Sequence, residues 1–523
     1  MADEHSSSCE LNLSGVVWLE FANHAGARVV ADVPSPVGCQ ILRHTPRRRV
    51  LYVPGAPALL VKQYFHPGPI DLIKSLVRGP PALREWRALR EAERRHLPVP
   101  KPLALGQRDR QSLIVTEFIE SAATLEDFAK AEPAAGMKRR IIREIAVLIR
   151  AMHDAGFYQR DLHLGNLLLR QRGSNSEYFL LDLQRIDVDP FHGLAKRWRD
   201  LSAFAGGCEY VSRSDRRRFL KSYLSVAPRL NPDEARLSAK MERYAQRHRF
   251  RVWQSRQKRC LAGNREFAEV TIGACRGFVR RSEWCDGLKN LLVDPPRIFE
   301  HAAIVKDSLT STVGSVALPD KQVFVKRYNL QGPVYAFKNI FRASRARRGW
   351  KAGNSCVMRG IGVALPLAYF ERRRFRILRE SYLLTAGLTR NELSQVAARR
   401  CGDLGAKRGL IGQLARQLKR MHDRGVAHRD LKAENIIAQD CGGGRYKFFI
   451  VDFDGISFGA VSRRVRAKNL ARLARALAKI VPLTSGDRLR LVKNYLGERH
   501  SARWREMYRD LLRFEKKPRG RRM

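Results

Sequence analysis

The sequence predicts an α+β protein of two similar domains in tandem, each a small β-rich lobe followed by a larger helical lobe. Three observations predict it. The 523 residues exceed what one hydrophobic core usually organises. A long motif recurs at a nearly constant offset, and in each half short strand patterns precede long helical ones. The recurrence is the strongest of the three. Met152 to Leu169 reads M-H-D-A-G-F-Y-Q-R-D-L-H-L-G-N-L-L-L, and Met421 to Ala438 reads M-H-D-R-G-V-A-H-R-D-L-K-A-E-N-I-I-A. Asp161 and Asp430 stand 269 residues apart, Lys62 and Lys326 (L-L-V-K-Q-Y and V-F-V-K-R-Y) 264, and Asp182 and Asp452 (L-L-D-L-Q and I-V-D-F-D) 270. Solenoid repeats have periods of a few tens of residues, so this pattern is the duplication of a whole domain.

Each half opens on β-branched or aromatic runs broken by Gly and Pro: Val50 to Val53 and Leu59 to Tyr64, then Thr312 to Ala317 and Val323 to Tyr328. These read as a hairpin-rich sheet. Ile141, Ile142, Ile145, Leu148 and Met152 recur at helical spacing before the first R-D-L, as Leu410, Ile411, Leu414, Leu418 and Met421 do before the second. Ala227 to Asn264 is polar, charged and helical in pattern. The boundary belongs inside it, giving domains 1–250 and 251–523, the second with a basic C-terminal tail.

With 99 basic against 51 acidic side chains the net charge is +48, which calls for an anionic partner: nucleic acid, a phospholipid surface or a phosphorylated substrate. No nucleic-acid reader motif accompanies the charge, which disfavours the first. The nine cysteines are scattered and never spaced C-x-x-C, so neither a disulfide framework nor a zinc site is expected, and a reducing cytoplasm fits best. The first ten residues are acidic and polar, unlike a signal peptide, and no apolar run approaches the roughly eighteen residues of a membrane span. Membrane association is expected to be peripheral.

Phosphoryl transfer needs a cation on the nucleotide phosphates, ligands for magnesium, and a carboxylate that orients the acceptor hydroxyl. Both halves offer the set in the same order. His428, Arg429, Asp430 and Asn435 form H-R-D-L-x-x-x-N, with Asp430 as candidate base and Asn435 as candidate metal ligand. Gln159, Arg160, Asp161 and Asn166 repeat the spacing, with Asp161 as base and Asn166 as ligand. Asp182 and Asp452, each after a short apolar strand, supply the second ligand, 21 and 22 residues beyond the bases, an interval that suits a hairpin. Lys62 and Lys326 would reach the phosphates. A lone strand lysine is usually a solvated edge residue, and a lone Asp a cap or turn, but the ordered set appearing twice is hard to obtain by chance. Glu117 and Glu380 complete the candidate nucleotide-binding set together with Glu85, which in R-E-W-R is placed to pair with Lys62.

With these motifs both halves resemble the bacterial lipopolysaccharide kinase family, which has a protein-kinase-like fold and phosphorylates Kdo or heptose of the inner core. The resemblance runs from about Val17 to Leu512. It also rests on S-R-A-R-R-G-W before Trp350, on P-K-P-L-A at Pro100 matched by A-L-P-L-A at Ala364, and on R-W-R-D-L and R-A-K-N-L after the metal-site Asp residues. It implies ATP and Mg²⁺ as cofactors, an anionic glycolipid or sugar acceptor, and a cytoplasmic enzyme able to touch the inner face of the inner membrane. The alternatives are a serine/threonine protein kinase, suggested by H-R-D-L-K-A-E-N, and a tandem pseudokinase scaffold.

Several positions depart from kinase patterns. Neither half has G-x-G-x-x-G; S-L-T-S-T at Ser308 to Thr312 would cover phosphates with hydroxyls and N–H groups, whereas the first half offers H-T-P-R-R-R. The Gly of D-F-G is Gln184 in one half and Asp454 in the other, and no A-P-E follows, which favours a sugar over a peptide acceptor. Position 349, aligned with Glu85, is Gly, so Lys326 is expected to lack a helix carboxylate and the first site to be the better ordered. His153 and His422 read as helix-end histidines satisfied by backbone rather than as catalysts. Arg342, Arg345, Arg347 and Arg348, with Lys516, Lys517, Arg519, Arg521 and Arg522, read as a phosphate or anionic-lipid contact.

Overall fold

In the computed structural model the described residues are 8–34, 37–65, 79–109, 111–159, 161–173, 175–189, 194–207, 211–225, 234–329, 342–375, 377–388, 391–497 and 503–516. Arg160 and the tail from Lys517 onward lie outside them. The chain divides into two compact units, Met1–Arg249 and Phe250–Met523.

In the first unit the β-branched runs pair into one antiparallel sheet. Its strands are β1 (Ser8–Leu11), β2 (Val17–Phe21), β3 (Val37–Thr45), β4 (Arg48–Val53), β5 (Leu59–Phe65), β6 (Pro102–Arg108) and β7 (Gln111–Glu117), in the order β1-β3-β4-β5-β7-β6-β2. Helix α1 (His24–Ala31) packs Val30 with Leu51, Val61, Leu113 and Val115. Helix α2 (Pro81–Arg94) places Trp86 in a second core with Tyr64, Leu105 and Ile114. That core continues without a break into the helical part, through Ile145 and Met152 of α4 (Ala135–Asp154), which follows the short α3 (Leu125–Lys130). Removing a side chain as large as buried Trp86 would cost about 3–5 kcal/mol. Strand β8 (Ala122–Thr124) joins the hairpin of β10 (Leu167–Arg172) and β11 (Asn175–Leu180), while β9 (Phe157–Gln159) pairs β12 (Ile186–Val188). Helices α5 (Leu194–Gly207), α6 (Arg213–Ser225) and α7 (Glu234–Arg256) follow, and the division between units falls within α7.

One expectation is corrected here. Cys39 is disulfide-bonded, and Cys9 stands opposite it in the β1–β3 register. Sequence spacing could not show this, because antiparallel pairing brings together positions far apart in the chain. Disulfides are rare in a reducing cytosol, so cysteine usage no longer supports that compartment.

The second unit repeats the plan. Strands β13 (Phe267–Ile272), β14 (Cys275–Arg280), β15 (Ala303–Ser308), β16 (Ser311–Ala317), β17 (Gln322–Tyr328), β18 (Pro366–Arg374) and β19 (Ile377–Ala386) form a sheet in the order β13-β14-β18-β19-β17-β16-β15. The five strands β3-β4-β5-β7-β6 thus correspond to β15-β16-β17-β19-β18. The extra strands differ: the first sheet adds one pair-mate at each edge, the second adds two beside β18. Helix α8 (Asp286–Val293) and the short α9 (Ile298–His301) cover one face with Leu288, Leu292 and Ile298, and α10 (Arg345–Met358) buries Trp350 against the other. Helices α11 (Leu393–Arg400) and α12 (Leu404–Asp423) precede β20 (Val426–His428), the hairpin of β21 (Ile436–Asp440) and β22 (Tyr446–Ile450), and β23 (Ile456–Phe458). Helices α13 (Arg463–Leu477), α14 (Ser485–Leu496) and α15 (Trp504–Lys516) complete the unit.

Candidate active sites

Strand alternation and one piece of hydrogen bonding common to both units assemble each site. Lys62 lies opposite Val50 and Ile114 in the β4–β5–β7 register, and Lys326 opposite Val313 and Leu383 in β16–β17–β19. A single 3-10 turn follows each candidate base, Leu164–Asn166 and Ala433–Asn435. The Asn amide Nδ2 donates back to the carbonyl of the base residue at 3.0 Å in both units. Its own backbone oxygen accepts from the residue before the second Asp, Leu181 N at 2.9 Å and Val451 N at 3.2 Å. The intervening residues are the β10–β11 and β21–β22 hairpins, so Asp161, Asn166 and Asp182 are brought together, as are Asp430, Asn435 and Asp452.

In the first unit Lys62 Nζ meets Glu85 Oε1 at 2.5 Å, and Tyr64 donates its hydroxyl to Glu85 Oε2. Glu85 is 1% exposed, so both its oxygens are satisfied inside the core. Asp182 accepts from Arg48 Nη1 at 3.0 Å and Gln184 Nε2 at 2.9 Å, both on Oδ1. It adopts φ 59°, ψ 51°, a left-handed conformation that Asp tolerates better than bulkier residues. Burial alone would raise the Asp182 carboxyl, but Lys62 and Arg48 outweigh it and hold it below the ordinary carboxylate value. Gln159, fully buried, donates to Leu181 O at 2.8 Å. Asp161 is exposed, with Arg185 Nη1 3.8 Å away.

In the second unit Lys326 Nζ reaches Asp452 Oδ1 at 2.9 Å and Asp454 Oδ2 at 3.2 Å. Asp454 also accepts from Arg345 Nη2 at 2.7 Å and from the Tyr328 hydroxyl at 3.3 Å. Burial opposes ionisation of Asp452, and Lys326 again prevails, so its carboxyl lies below the ordinary value. His428 takes the place of Gln159: Nδ1 accepts from Asp430 N at 3.2 Å while Nε2 lies 2.8 Å from Asp452 O, a pair of contacts that requires the Nε2–H tautomer. Lys432 Nζ sits 3.2 Å from Asp430 Oδ2. A cavity of about 320 Å³ opens here, lined by Val313, Phe324, Lys326, Leu383, Asn435 and Asp452 among others.

Three readings of the sequence change. Lys326 lacks a helix carboxylate, as expected, but is not the more poorly held lysine for that reason, since Asp452 and Asp454 both meet it. Glu117 and Glu380, both placed in the candidate nucleotide-binding set, fall at different register positions: Glu117 ends β7 three residues beyond Ile114, whereas Glu380 precedes Leu383 by three in β19. Glu380 therefore points its contacts to Arg372 (3.5 Å) and Tyr382 (3.1 Å) near the hairpin end and does not line the cavity. The hydroxyls of Ser308 and Thr312 are also committed, to Ser311 O (2.8 Å) and Asp307 Oδ1 (2.7 Å). The first unit closes the matching hairpin in the same way, Thr45 Oγ1 to Arg48 O at 3.0 Å.

Residues 71–223 and 328–495, one span in each unit and together more than half of the chain, match the lipopolysaccharide kinase (Kdo/WaaP) family model. The chain belongs to that family. Among the relatives of this lipopolysaccharide kinase-family chain is the lipopolysaccharide core heptose(I) kinase WaaP of Pseudomonas aeruginosa, 31% identical over 187 residues, covering 32% of this chain and 68% of that protein. The Escherichia coli K12 enzyme of the same name is 28% identical over 191 residues, covering 32% and 71%. The 3-deoxy-D-manno-octulosonic acid kinase of Actinobacillus succinogenes is 33% identical over 107 residues, covering 19% and 43%. A solved structure described as WaaP in complex with acyl carrier protein is 25% identical, covers 43% of this chain and 93% of its own, and has a TM-score of 0.33. Two matched spans fit a tandem arrangement, and the family makes the chain a phosphotransferase.

The lipopolysaccharide kinase-family fold also uses residues that sequence reasoning did not assign. Asn469 Oδ1 accepts from His428 N at 3.1 Å and lies 3.1 Å from His422 Nε2, tying strand β20 to helix α12. In the first unit the aligned Asp200, fully buried, lies 3.7 Å from His153 Nε2. The histidines themselves are held by side chains, Tyr223 at 2.8 Å and Tyr495 at 2.7 Å, and not by backbone. The recurring R-x-x-D/N-L was the available signal. Of the basic cluster, Arg345 is turned inward to Asp454, while Arg342, Arg347 and Arg348 are exposed.

The candidate metal sets fit a hard cation. In each, the Asp takes its cationic and N–H partners on Oδ1, and the Asn donates through Nδ2. That leaves Asp Oδ2 and Asn Oδ1, both oxygens, as the donors magnesium prefers.

Proposed function

We propose that the chain transfers a phosphoryl group from ATP to a hydroxyl of a lipopolysaccharide core sugar, Kdo or heptose, using two kinase-like bilobal domains in tandem, 1–250 and 251–523. The observation that carries the reading is the repeated grouping of Lys, Asp, Asn and Asp, in the second unit around a cavity of about 320 Å³. That volume is within the usual range for a small-molecule site.

In this reading Lys62 and Lys326 hold the nucleotide phosphates, with Glu85 keeping Lys62 in place. Asn166 with Asp182, and Asn435 with Asp452, would hold Mg²⁺, which when bound offsets the charge on the transferring group. Asp161 and Asp430 accept a hydrogen bond from the acceptor hydroxyl and orient it, and Lys432 beside Asp430 supplies positive charge on the same side. Gln159 binds the carbonyl of Leu181, the residue before Asp182, and His428 binds that of Asp452, so the ligands are held before nucleotide arrives. The fold's cationic surplus is suited to a phosphorylated glycolipid at an anionic membrane surface, reached from the cytoplasmic side. Among the described residues no helix is long and apolar enough to cross a membrane.

The test is magnesium-dependent ATP consumption by the purified chain with a panel of core-sugar glycolipids, proteins and nucleic acids. Phosphate is expected on the Kdo or heptose acceptors. Phosphate appearing only on protein would replace this reading with the protein-kinase alternative.

A further inference from the structure

The two units carry the same four charges around the nucleotide lysine, but place one carboxylate on different elements. On β5, Lys62 and Tyr64 are two residues apart and both bind Glu85 of α2. On β17, Lys326 and Tyr328 have the same spacing and both bind Asp454, two residues beyond Asp452. The position that corresponds to Glu85 is Gly349, just before the buried Trp350 as Glu85 is just before Trp86. The position that corresponds to Asp454 is Gln184, a neutral side chain that donates to Asp182 at 2.9 Å. Each cluster also contains one arginine: Arg48 on Asp182 in the first, Arg345 on Asp454 in the second. Two cations and two carboxylates therefore remain in both, with the carboxylate and the arginine relocated together.

The space agrees with the exchange. A Cβ at Gly349 would come within 2.9 Å of Leu383 Cδ2 and 3.2 Å of the Tyr328 hydroxyl. The corresponding hydroxyl of the first unit, Tyr64, meets the helix carboxylate, whereas that of Tyr328 is directed to Asp454 instead.

We propose that Asp454 is the lysine-positioning carboxylate of the second unit, filling from the segment after the metal-site Asp the place that Glu85 fills from helix α2. The helix contributes a cation, Arg345, in place of an anion. The charge pattern that couples helix to strand lysine is thus reversed in sign at the helix and restored through Asp454. Position 349 is then a consequence of the arrangement and not a defect of the site. The catalytic part of this proposal rests on the phosphotransfer reading above; the clamp itself does not.

Two measurements separate them. Amine-reactive labelling of Lys326, read by mass spectrometry in the full chain, reports the clamp without requiring activity. Asp454→Asn, nearly isosteric, is expected to speed labelling of Lys326 several-fold and leave Lys62 unchanged. Asp454→Glu, which keeps the carboxylate on the same segment, is expected to keep labelling slow. Unchanged Lys326 labelling in Asp454→Asn overturns the proposal, and so does labelling of Asp454→Glu as fast as that of Asp454→Asn while its melting temperature is retained. Turnover is then measured with the first site silenced by Asp161→Asn. There Asp454→Asn should lower kcat by tenfold or more with a smaller change in the KM for ATP, because a misplaced lysine still attracts phosphate. An unchanged kcat overturns the positioning role. If that background shows no turnover with any acceptor, the functional reading fails for the second unit while the labelling result still decides the clamp.

Discussion

In the first unit the carboxylate that grips the strand lysine comes from helix α2 and is 1% exposed; in the second it comes from Asp454, whose side chain is 24% exposed. Glu85 has a lysine and a tyrosine to itself. Asp454 shares Lys326 with Asp452 and adds Arg345. A buried carboxylate must be fully satisfied, because stripping its partner leaves an uncompensated charge in a medium of low polarisability. A part-exposed one can trade partners with water at small cost. The difference teaches that the electrostatic requirement of the site is a local charge count at the lysine, and that the element supplying it is exchangeable so long as the count holds.

The largest effects are expected at the bases. Asp161→Asn together with Asp430→Asn should reduce phosphotransfer by about 10²–10⁴-fold, the usual contribution of a positioned acid–base group. The single variants sharpen the comparison. Lys432 lies 3.2 Å from Asp430, whereas the cation beside Asp161 is 3.8 Å away on an exposed arginine. With Lys326 held by two aspartates, the expectation from sequence that the first site is the better ordered loses its basis. Asp430→Asn should cause the greater loss of turnover. A larger loss in Asp161→Asn would return precedence to the helix-clamped site.

Stability should separate the clamps next. Glu85→Ala leaves Lys62 and Tyr64 facing an empty, buried space and should cost about 3–5 kcal/mol in the first unit. Asp454→Ala should cost the second about 1–2 kcal/mol, between the buried and surface cases. Hydrogen exchange read separately over β5 and β17 checks both values. Equal costs would mean that exposure does not govern the two clamps.

What could be read from the chain divides along the same line. Asp161, Asn166 and Asp182 were legible because a turn and one hairpin fix their spacing, and the duplication doubled the signal. Lys62 and Lys326 were legible as interior positions of strands whose neighbours alternate. Glu85 was legible because a helix carboxylate beside a tryptophan follows the kinase order. Asp454 was not, since its role depends on Tyr328, Arg345 and Gly349 meeting from three elements, and the sequence showed only a missing glycine. The disulfide at Cys39 and the misplacement of Glu380 have one cause, strand register, which local pattern does not encode. Asp200 and Asn469 recurred visibly, but nothing in the repeat said that they brace a buried histidine.

That brace offers the smallest effect and the cleanest sign. Burial, only partly opposed by the bond to Asn469, lowers His422 from 6.5 to about 4. Between those values the unfolded chain holds a proton that the folded chain does not, so unfolding is favoured as pH falls. The stability tied to neutral His422 is complete above about pH 6.5 and is lost progressively toward pH 4, about 2 kcal/mol of it between pH 7.5 and 5. In the first unit the aligned partner is already a carboxylate, Asp200. Asn469→Asp places one beside His422 while keeping an acceptor for His428 N. A carboxylate favours the imidazolium, so it raises the folded pKa and should shrink the acid loss to about half. Urea denaturation at pH 7.5 and 5, followed over α12 by hydrogen exchange, measures the difference. Equal losses in the wild type and Asn469→Asp would show that the acid response of the second unit arises elsewhere than at His422.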